Sequence, residues 1–383
     1  IGEEEMKVTF FSSVLNHHQI EFCDEMYTKL GNGFKFVSTM EMEEQRKNLK
    51  YYEYERPYKI RMYTSEEERD KGNDLFQESD AVILGVNMPV QLRKRLKKGK
   101  ITFLYRERIF KAVPSMYKYL RSLAYFVKEY WAFRGTPFYV LAASAYTLKD
   151  HKSLGMFGNK TFSWGYFPPC KIYNEDVLMG KESKDKVNIF WAGRFINWKN
   201  PQHVIDAAEI LREHNVNFSI DMVGNGENED SIKALVKEKN LQEYIEFHGA
   251  MSQEDVREYM ERANIYLFTS NREEGFGAVL TEAMNSGCAV VSSATAGSTK
   301  LLINNGENGL MYEHDSSQEL CEKTLYLAEN PEAAKEIGLN AYRTVRDVQN
   351  AKVAAERFIH VLDAMLNKKE IPQYSQGPMR KMG

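Results

Sequence analysis

No stretch of this 383-residue chain approaches the roughly 18–20 consecutive apolar residues that a membrane-spanning helix requires. A secretory hydrophobic segment near the start is also missing. The expected chain is therefore soluble or peripheral to a membrane. Cysteine is scarce: Cys23, Cys170, Cys288 and Cys321 lie far apart, with no Cys-x-x-Cys or metal-type spacing. The expected reading is buried free thiols in a reducing cytosol, and a metal site is left without support. The formal net charge is only -3, and no recognised nucleic-acid module is present, so nucleic acid is not an expected partner. A full Gly-x-Gly-x-x-Gly is absent as well. In Val223-Gly224-Asn225-Gly226 the residue three places on is Glu229, which argues against a dinucleotide-dependent dehydrogenase. There is no repeat of fixed period and no low-complexity segment.

What is present is globular material for two cores, with 43% hydrophobic and 27% charged residues. Met6 reads as the first native residue, because the first strand begins just after it, and Ile1–Glu5 are set aside. Short β-branched or aromatic runs alternate with helical segments in two separate stretches, the mark of parallel α/β layers. In the first, residues 7–12, 34–38, 81–86, 101–105 and 138–143 read as strands; in the second, 187–192, 218–223, 245–247, 265–268, 289–292 and 310–312. Between them, the tandem prolines of Trp164-Gly165-Tyr166-Phe167-Pro168-Pro169 and a polar stretch over 174–186 predict an extended linker. The expected fold class is α/β, two Rossmann-like αβα domains facing a central cleft. Residues 6–168 form the first domain, 169–350 the second, 351–367 a last helix, and 368–383 a mobile polar tail.

The strongest local signal runs from Glu274 through Gly275, Phe276, Gly277, Ala278, Val279 and Glu282 to Met284. It follows an apolar strand and opens a helix that Gly287 closes. Gly275 and Gly277 bring backbone N–H groups to a helix N-terminus, an arrangement that holds phosphate without a side-chain cation. Glu274 lies before the helix and Glu282 one turn inside it, so the two carboxylates suit hydroxyls at different parts of one elongated ligand. Against this stands the plainer reading of a helix-end acid and a solvated one. In the second signal, Gly193 ends a strand and Arg194 and Lys199 follow in the loop before a helix near Pro201. There they either neutralise a diphosphate or form a surface salt-bridge pair.

Together these segments resemble the retaining glycosyltransferases numbered family 4 (glycosyl transferases group 1), which have the GT-B fold. The Glu274–Glu282 spacing in its Gly-Phe-Gly and Glu-Ala-Met setting is similar to that family's signature, and Gly193-Arg194 with Lys199 to its diphosphate-binding pair. The run from Gly287 to Gly297, then Leu301-Leu302-Ile303 and Asn308-Gly309-Leu310, follows the same order. The resemblance is specific over about 187–345. It implies that Glu274 contacts the transferred sugar and Glu282 the ribose, with Arg194 and Lys199 acting on the leaving diphosphate. It also implies donor contacts from Gly193, Gly224 and the amides of Gly275–Val279, with Gly249, Ala250 and Met251 against the base. The activity implied is a metal-independent, retaining hexosyltransferase with no cofactor beyond a nucleotide-sugar co-substrate, a UDP-sugar favoured. The acceptor implied is a saccharide or lipid-linked saccharide, as in bacterial polysaccharide assembly. The last helix, 351–367, is implied to cross back to the first domain. The competing readings are a GT-B epimerase or phosphorylase, or an inactive sugar-nucleotide-binding subunit.

The first half departs from the family pattern. Asn16-His17-His18-Gln19 stands where a Gly-Gly loop is common; its histidines either contact a diphosphate or acceptor hydroxyl, titrating near neutrality, or are solvated. Glu107 either orients the acceptor or pairs with Arg106 or Arg108. Nine cations (Arg93, Lys94, Arg95, Lys97, Lys98, Lys100, Arg106, Arg108, Lys111) face one acid, Glu107, and an aromatic, basic run follows to Arg134. Residues 93–134 therefore suit an anionic membrane surface, or else a solvated face beside a core helix. The localisation expected is cytoplasmic, peripheral on the inner membrane face if the first alternative holds.

Overall fold

The computed structural model describes residues 6–42, 54–181, 186–313 and 316–383; residues 1–5, and part of the stretch expected as a polar linker, lie outside these. The chain divides into two compact units. One comprises the residues up to Pro168 together with Ala351–Gly383, the other Pro169–Asn350.

Among the described residues, unit 1 holds seven parallel strands: β1 Val8–Ser12, β2 Phe34–Ser38, β3 Lys59–Arg61, β4 Ala81–Leu84, β5 Ile101–Arg106, β6 Phe138–Ala142 and β7 Thr161–Ser163. Their order is β3-β2-β1-β4-β5-β6-β7. Unit 2 holds six: β8 Val187–Ala192, β9 Phe218–Val223, β10 Ile245–Phe247, β11 Ile265–Phe268, β12 Ala289–Ser293 and β13 Leu310–Tyr312, ordered β10-β9-β8-β11-β12-β13. β4 and β11 run apolar end to end, because helices cover both faces of a parallel sheet. In each sheet the chain starts in the middle, builds to one edge, returns and builds to the other. The switch points fall between β1 and β4 and between β8 and β11, where loops at the carboxyl ends diverge and leave a crevice. β3 and β7 were not among the expected strands. Each is three residues long with a single apolar one, Ile60 or Phe162, so neither stands out as an apolar run.

The helix Gln202–Glu213 follows Pro201 and buries Val204, Ile205, Ala207, Ala208 and Leu211, a helical stripe laid on the second sheet. Ala351–Leu366 belongs to unit 1. It buries Ala354, Ala355, Phe358, Val361 and Leu362, and the Phe358 ring lies 5.0 Å from Phe103 and 6.1 Å from Trp164.

Two expectations are corrected here. The Trp164–Pro168 segment is no free linker: Trp164 and Phe167 are buried, the Trp164 ring 5.1 Å from Phe22, because two large aromatics gain more in the core than in water. Nor is the end of the chain a mobile tail. Met379 is fully buried, its N–H donates to Ser163 O at 2.8 Å, the Met382 N–H to Thr161 O at 2.9 Å, and Lys381 bridges antiparallel to Phe162, covering the β7 edge. In the stretch read as extended after it, Asn174 caps a short helix, Glu175–Met179.

Arg95 also leaves the basic surface where the sequence put it. Its fully buried guanidinium donates to the carbonyls of Phe76 (2.7 Å), Ser79 (2.8 Å), Asp80 (3.1 Å) and Ile101 (2.8 Å) and to Thr102 Oγ1 (3.0 Å). Burial pushes its pKa down to about 10, and the charge of Asp80 opposes that shift. One cation thus ties the ends of two helices to the start of β5. Arg95→Met, which keeps the volume but strands these acceptors, is expected to lose about 3–5 kcal/mol of stability, read as a lower urea midpoint at unchanged slope.

Candidate functional site

The three loops leaving β8, β9 and β10 are laced by their backbones. The Gly193 N–H donates to Val223 O (3.0 Å), the Phe195 N–H to Asn225 O (2.8 Å) and the Gly224 N–H to Gly249 O (2.8 Å). Gly224 makes this possible: at φ +135° any Cβ would lie 1.9 Å from Gly193 O. The Gly-rich turn, a weak signal by itself, is a contact between strand ends.

Across the switch point, the loop after β11 is fastened to the loop after β8. Trp191 Nε1 donates to Thr269 Oγ1 (2.9 Å), which donates to Lys199 O (2.5 Å). Asn200 Nδ2 donates to Thr269 O (3.0 Å), and the Asn271 N–H to Trp198 O (2.8 Å). This network sets Lys199 Nζ against the Glu274 carboxylate in a largely buried ion pair. The Trp198 ring lies under both cations, 4.7 Å from Lys199 Nζ and 5.6 Å from Arg194 Cζ. Arg194 is exposed. The partner of Glu274 is thus the very lysine that the sequence set beside Arg194.

Past Glu274 the chain turns through buried Gly275 and Phe276 to Gly277, the N-cap of the helix Ala278–Asn285. Gly277 has φ +86°, and a Cβ there would meet Phe268 Cζ at 2.3 Å, so only glycine brings the helix opening this close to β11. The carbonyls of Glu274 and Phe276 accept from the Gly297 and Ser298 N–H groups at 3.2 and 3.0 Å. With the turn so held, the first N–H groups of the helix, at Ala278 and Val279, are directed outward from its N-terminus.

Glu282 is partly buried, not the solvated residue of the plainer reading. Burial raises its pKa and the Arg257 charge pulls the other way. Arg257 itself donates to Asn285 Oδ1 (2.8 Å), Ser286 Oγ (3.3 Å), Glu282 O (3.3 Å) and Pro169 O (3.0 Å). Among the described residues no side chain donates a hydrogen bond to the Glu282 carboxylate, and Arg257 acts on it only through its charge. Gly249 turns at φ +70°, and Ala250 and Met251 follow it, exposed and half-buried, before the capping box of Ser252 and Asp255.

Sequence reasoning missed Arg257, Thr269, the Trp191 indole and a further cluster. Asp221 and Glu246 are register partners on β9 and β10, and His248, two residues on, shares their face. His248 Nε2 lies 2.6 Å from Asp221 Oδ1, and Tyr259 OH 3.4 Å from His248 Nδ1. Their ligand atoms are close enough to hold a metal ion, which no spacing along the chain discloses.

In unit 1, Asn16 accepts the Gln19 and Ile20 N–H groups at its carbonyl (3.0 and 3.1 Å) and the His18 N–H at Oδ1 (3.0 Å). This turn starts the helix Ile20–Leu30. The His17 and His18 rings lie 3.6 Å apart, and His18 stacks on Tyr166 at 5.0 Å. Burial lowers His17 to about 4; burial and then the His17 charge hold His18 well below its ordinary value. The expectation of titration near neutrality is therefore corrected: both rings are neutral at pH 7. Glu107 accepts from Tyr166 OH (2.5 Å) and pairs with Lys111 (2.8 Å). Arg106 and Arg108, its expected partners, lie over the rings of Phe126 and Tyr146.

Residues 178–344 match the family model described as Glycosyl transferases group 1. An uncharacterized glycosyltransferase of Methanocaldococcus jannaschii is 25% identical over 194 residues, 50% of this chain and 49% of that protein. The chain spans about half the length of the curated relatives it matches. Among solved structures, Anabaena HepE in complex with UDP aligns with a TM-score of 0.68 at 16% identity, over 94% of this chain and 100% of that one. Sucrose-phosphate synthase from Thermosynechococcus elongatus aligns at 0.66 and 14%, over 95% and 100%. These likenesses show the fold, two α/β units of the GT-B class.

Two outcomes follow from the geometry. Lys199→Met leaves the buried Glu274 carboxylate uncompensated and is expected to cost on the order of 3 kcal/mol, while Lys199→Met/Glu274→Leu recovers most of it; equilibrium unfolding of both variants checks this. For His17 the folded pKa lies below the unfolded one, so the unfolded chain binds more protons between them. Stability is then full above about pH 6.5 and declines as pH falls toward about 4. His17→Asn is expected to flatten that decline in unfolding midpoints measured across the window.

Proposed function

From the match of residues 178–344 to the glycosyl transferases group 1 model, we propose that this chain moves a sugar from a nucleoside-diphosphate sugar, a UDP-sugar favoured, to a hydroxyl acceptor. The observation that carries this reading is the pair of carboxylates around one helix opening. Glu274 is locked on Lys199 before Gly277, and Glu282 stands one turn beyond with no side-chain hydrogen-bond donor among the described residues. A carboxylate held partly buried without a hydrogen-bond donor is costly unless a ligand hydroxyl supplies one.

In this reading Glu282 receives the ribose hydroxyls, and Glu274, positioned by Lys199, receives those of the transferred sugar. Gly249, Ala250 and Met251 lie against the base. Arg194, Lys199 and the amides at the Gly277 helix opening stabilise the charge on the departing diphosphate, and one such preorganised donor is commonly worth about 10²–10³ in rate. The anomeric carbon–oxygen bond to the diphosphate breaks while the acceptor oxygen bonds to the same face, so configuration is retained. The acceptor proton passes to the leaving phosphate oxygen. The sugar is a hexose, no metal takes part, and the acceptor is a lipid-linked saccharide of the kind used in polysaccharide assembly. The chain meets that acceptor at the inner face of a membrane, from the cytoplasm. In unit 1, Asn16 and the neutral His17 and His18 offer hydrogen bonds without charge to the acceptor, beside Glu107.

The test is thermal stabilisation by UDP, GDP, ADP and dTDP in the presence of a chelator. A nucleotide at about 100 times its Kd adds about 2.7 kcal/mol to the native state. Because burial raises the Glu282 pKa, its ionised form costs stability at neutral pH. Glu282→Gln is thus expected to melt at or above the wild type when free, and to be shifted less by UDP. Failure of every diphosphate to stabilise the wild type would overturn the reading.

A further inference from the structure

Half of the helix Met116–Tyr130 does what a surface helix does: Phe126 and Tyr130 are buried in the first unit's core, with Tyr119 and Leu123 packed against it. Its other face is the anomaly. Tyr117, Leu120, Ala124, Val127 and Trp131 recur at alternating steps of three and four residues, which on an α-helix form a single line. All are exposed, Tyr117 by 73% and Leu120 by 54%, and Met116 and Val113 extend the stripe by 72% and 78%. The helix is therefore apolar over two neighbouring sides, about 100° apart, and among the described residues only one of them is packed against protein.

The charge around the stripe has one sign. Arg121 and Lys128 sit one helical turn from Tyr117 and Ala124, with Lys118 beside them, and none of the three has an acidic partner among the described residues. Arg134 lies over the Trp131 ring at 4.3 Å. From Arg108 to Arg134 the one acid is Glu129, which is buried and paired with Arg93. A protein partner of ordinary mixed charge does not call for such a surface. Apolar side chains with tyrosine and tryptophan, rimmed by unpaired lysine and arginine, suit the headgroup boundary of an anionic bilayer: the apolar line enters the acyl edge and the cations stay among phosphates. Among the described residues no helix is long and apolar enough to cross a membrane, so contact of this kind is superficial.

We infer that the exposed face running from Val113 to Trp131 docks the first unit on an anionic lipid surface, with Tyr117, Leu120, Val127 and Trp131 inserted and Lys118, Arg121 and Lys128 on the headgroups. The inference deepens the lipid-linked acceptor reading and rests on it for its purpose, though not for its geometry.

The experiment is co-sedimentation of the whole chain with vesicles of phosphatidylcholine alone and of phosphatidylcholine mixed with phosphatidylglycerol, at low and high salt. Two variants accompany it, Leu120→Asp/Val127→Asp and Arg121→Glu/Lys128→Glu. The wild type is expected to bind the mixed vesicles, to bind neutral ones poorly, and to weaken in high salt. The aspartate pair should cut partitioning on the order of tenfold or more, and the loss of each cation about fivefold. Light scattering and the UDP-induced melting shift are measured on the same proteins. An unchanged melting temperature of the free protein shows that the variants are folded, and an unchanged UDP shift that the donor site is intact. Absence of UDP binding in every protein, with vesicle binding kept, would remove the transferase reading and leave the docking face standing. The inference is overturned if the wild type ignores anionic vesicles or if the variants bind them equally well. It is also overturned if scattering reveals a dimer that the aspartate pair dissolves, since a second copy would then cover the face.

Discussion

One buried hydroxyl joins the two loops on which the candidate site stands. Thr269 Oγ1 accepts from the Trp191 indole and donates to Lys199 O, so the ends of β8 and β11 are linked where their connections diverge. Divergence is what opens a crevice at a switch point, and it also deprives the loops of sheet hydrogen bonds. The threonine, with Asn200 on its carbonyl and Asn271 on Trp198 O, restores that connection without filling the crevice. Lys199 is held by its backbone, which leaves its ammonium to meet Glu274. Gly224 and Gly277 complete the framework from either side, each at a point where a Cβ would collide with neighbouring atoms.

Rigidity is thus concentrated in backbone contacts, and the groups suited to a ligand carry the unfavourable terms. Glu282 is partly desolvated with its pKa raised, and His17, buried, and His18, half-buried, are neutral rings. The helix Met116–Tyr130 leaves tyrosine, leucine and tryptophan facing outward. Each is a local cost that packing elsewhere has to offset, and such costs collect at functional sites. Arg95 is the contrasting case: a buried cation whose carbonyl acceptors are all structural, and whose role is confined to joining helix ends to a strand.

The sequence was most legible where a physical requirement is local. Strands covered on both faces are mostly apolar, so β4 and β11 stand out as runs, while β3 and β7, with one apolar residue each, do not. The Glu274–Gly277–Glu282 spacing was readable because a turn and the helix it opens are built from consecutive residues. Arg257, Thr269 and the Asp221–Glu246–His248 group were not, since each meets its partners only through strand pairing or helix docking. The tail was misjudged for a similar reason. Its polar residues suggested mobility, and the edge of β7 that it covers lies more than two hundred residues away in the chain.

By itself, then, the order of residues determined the fold class, the two alternating α/β stretches and the carboxylates flanking a helix opening, because periodicity, glycine placement and capping act over a few neighbours. Tertiary structure alone decided that Lys199 belongs to Glu274, that Arg95 is interior, and that the two histidines are neutral. It alone decided which face of the basic, aromatic helix is left uncovered. Charge pairing, desolvation and exposure depend on what surrounds a side chain in space, and those surroundings come from strands and helices far apart in the chain.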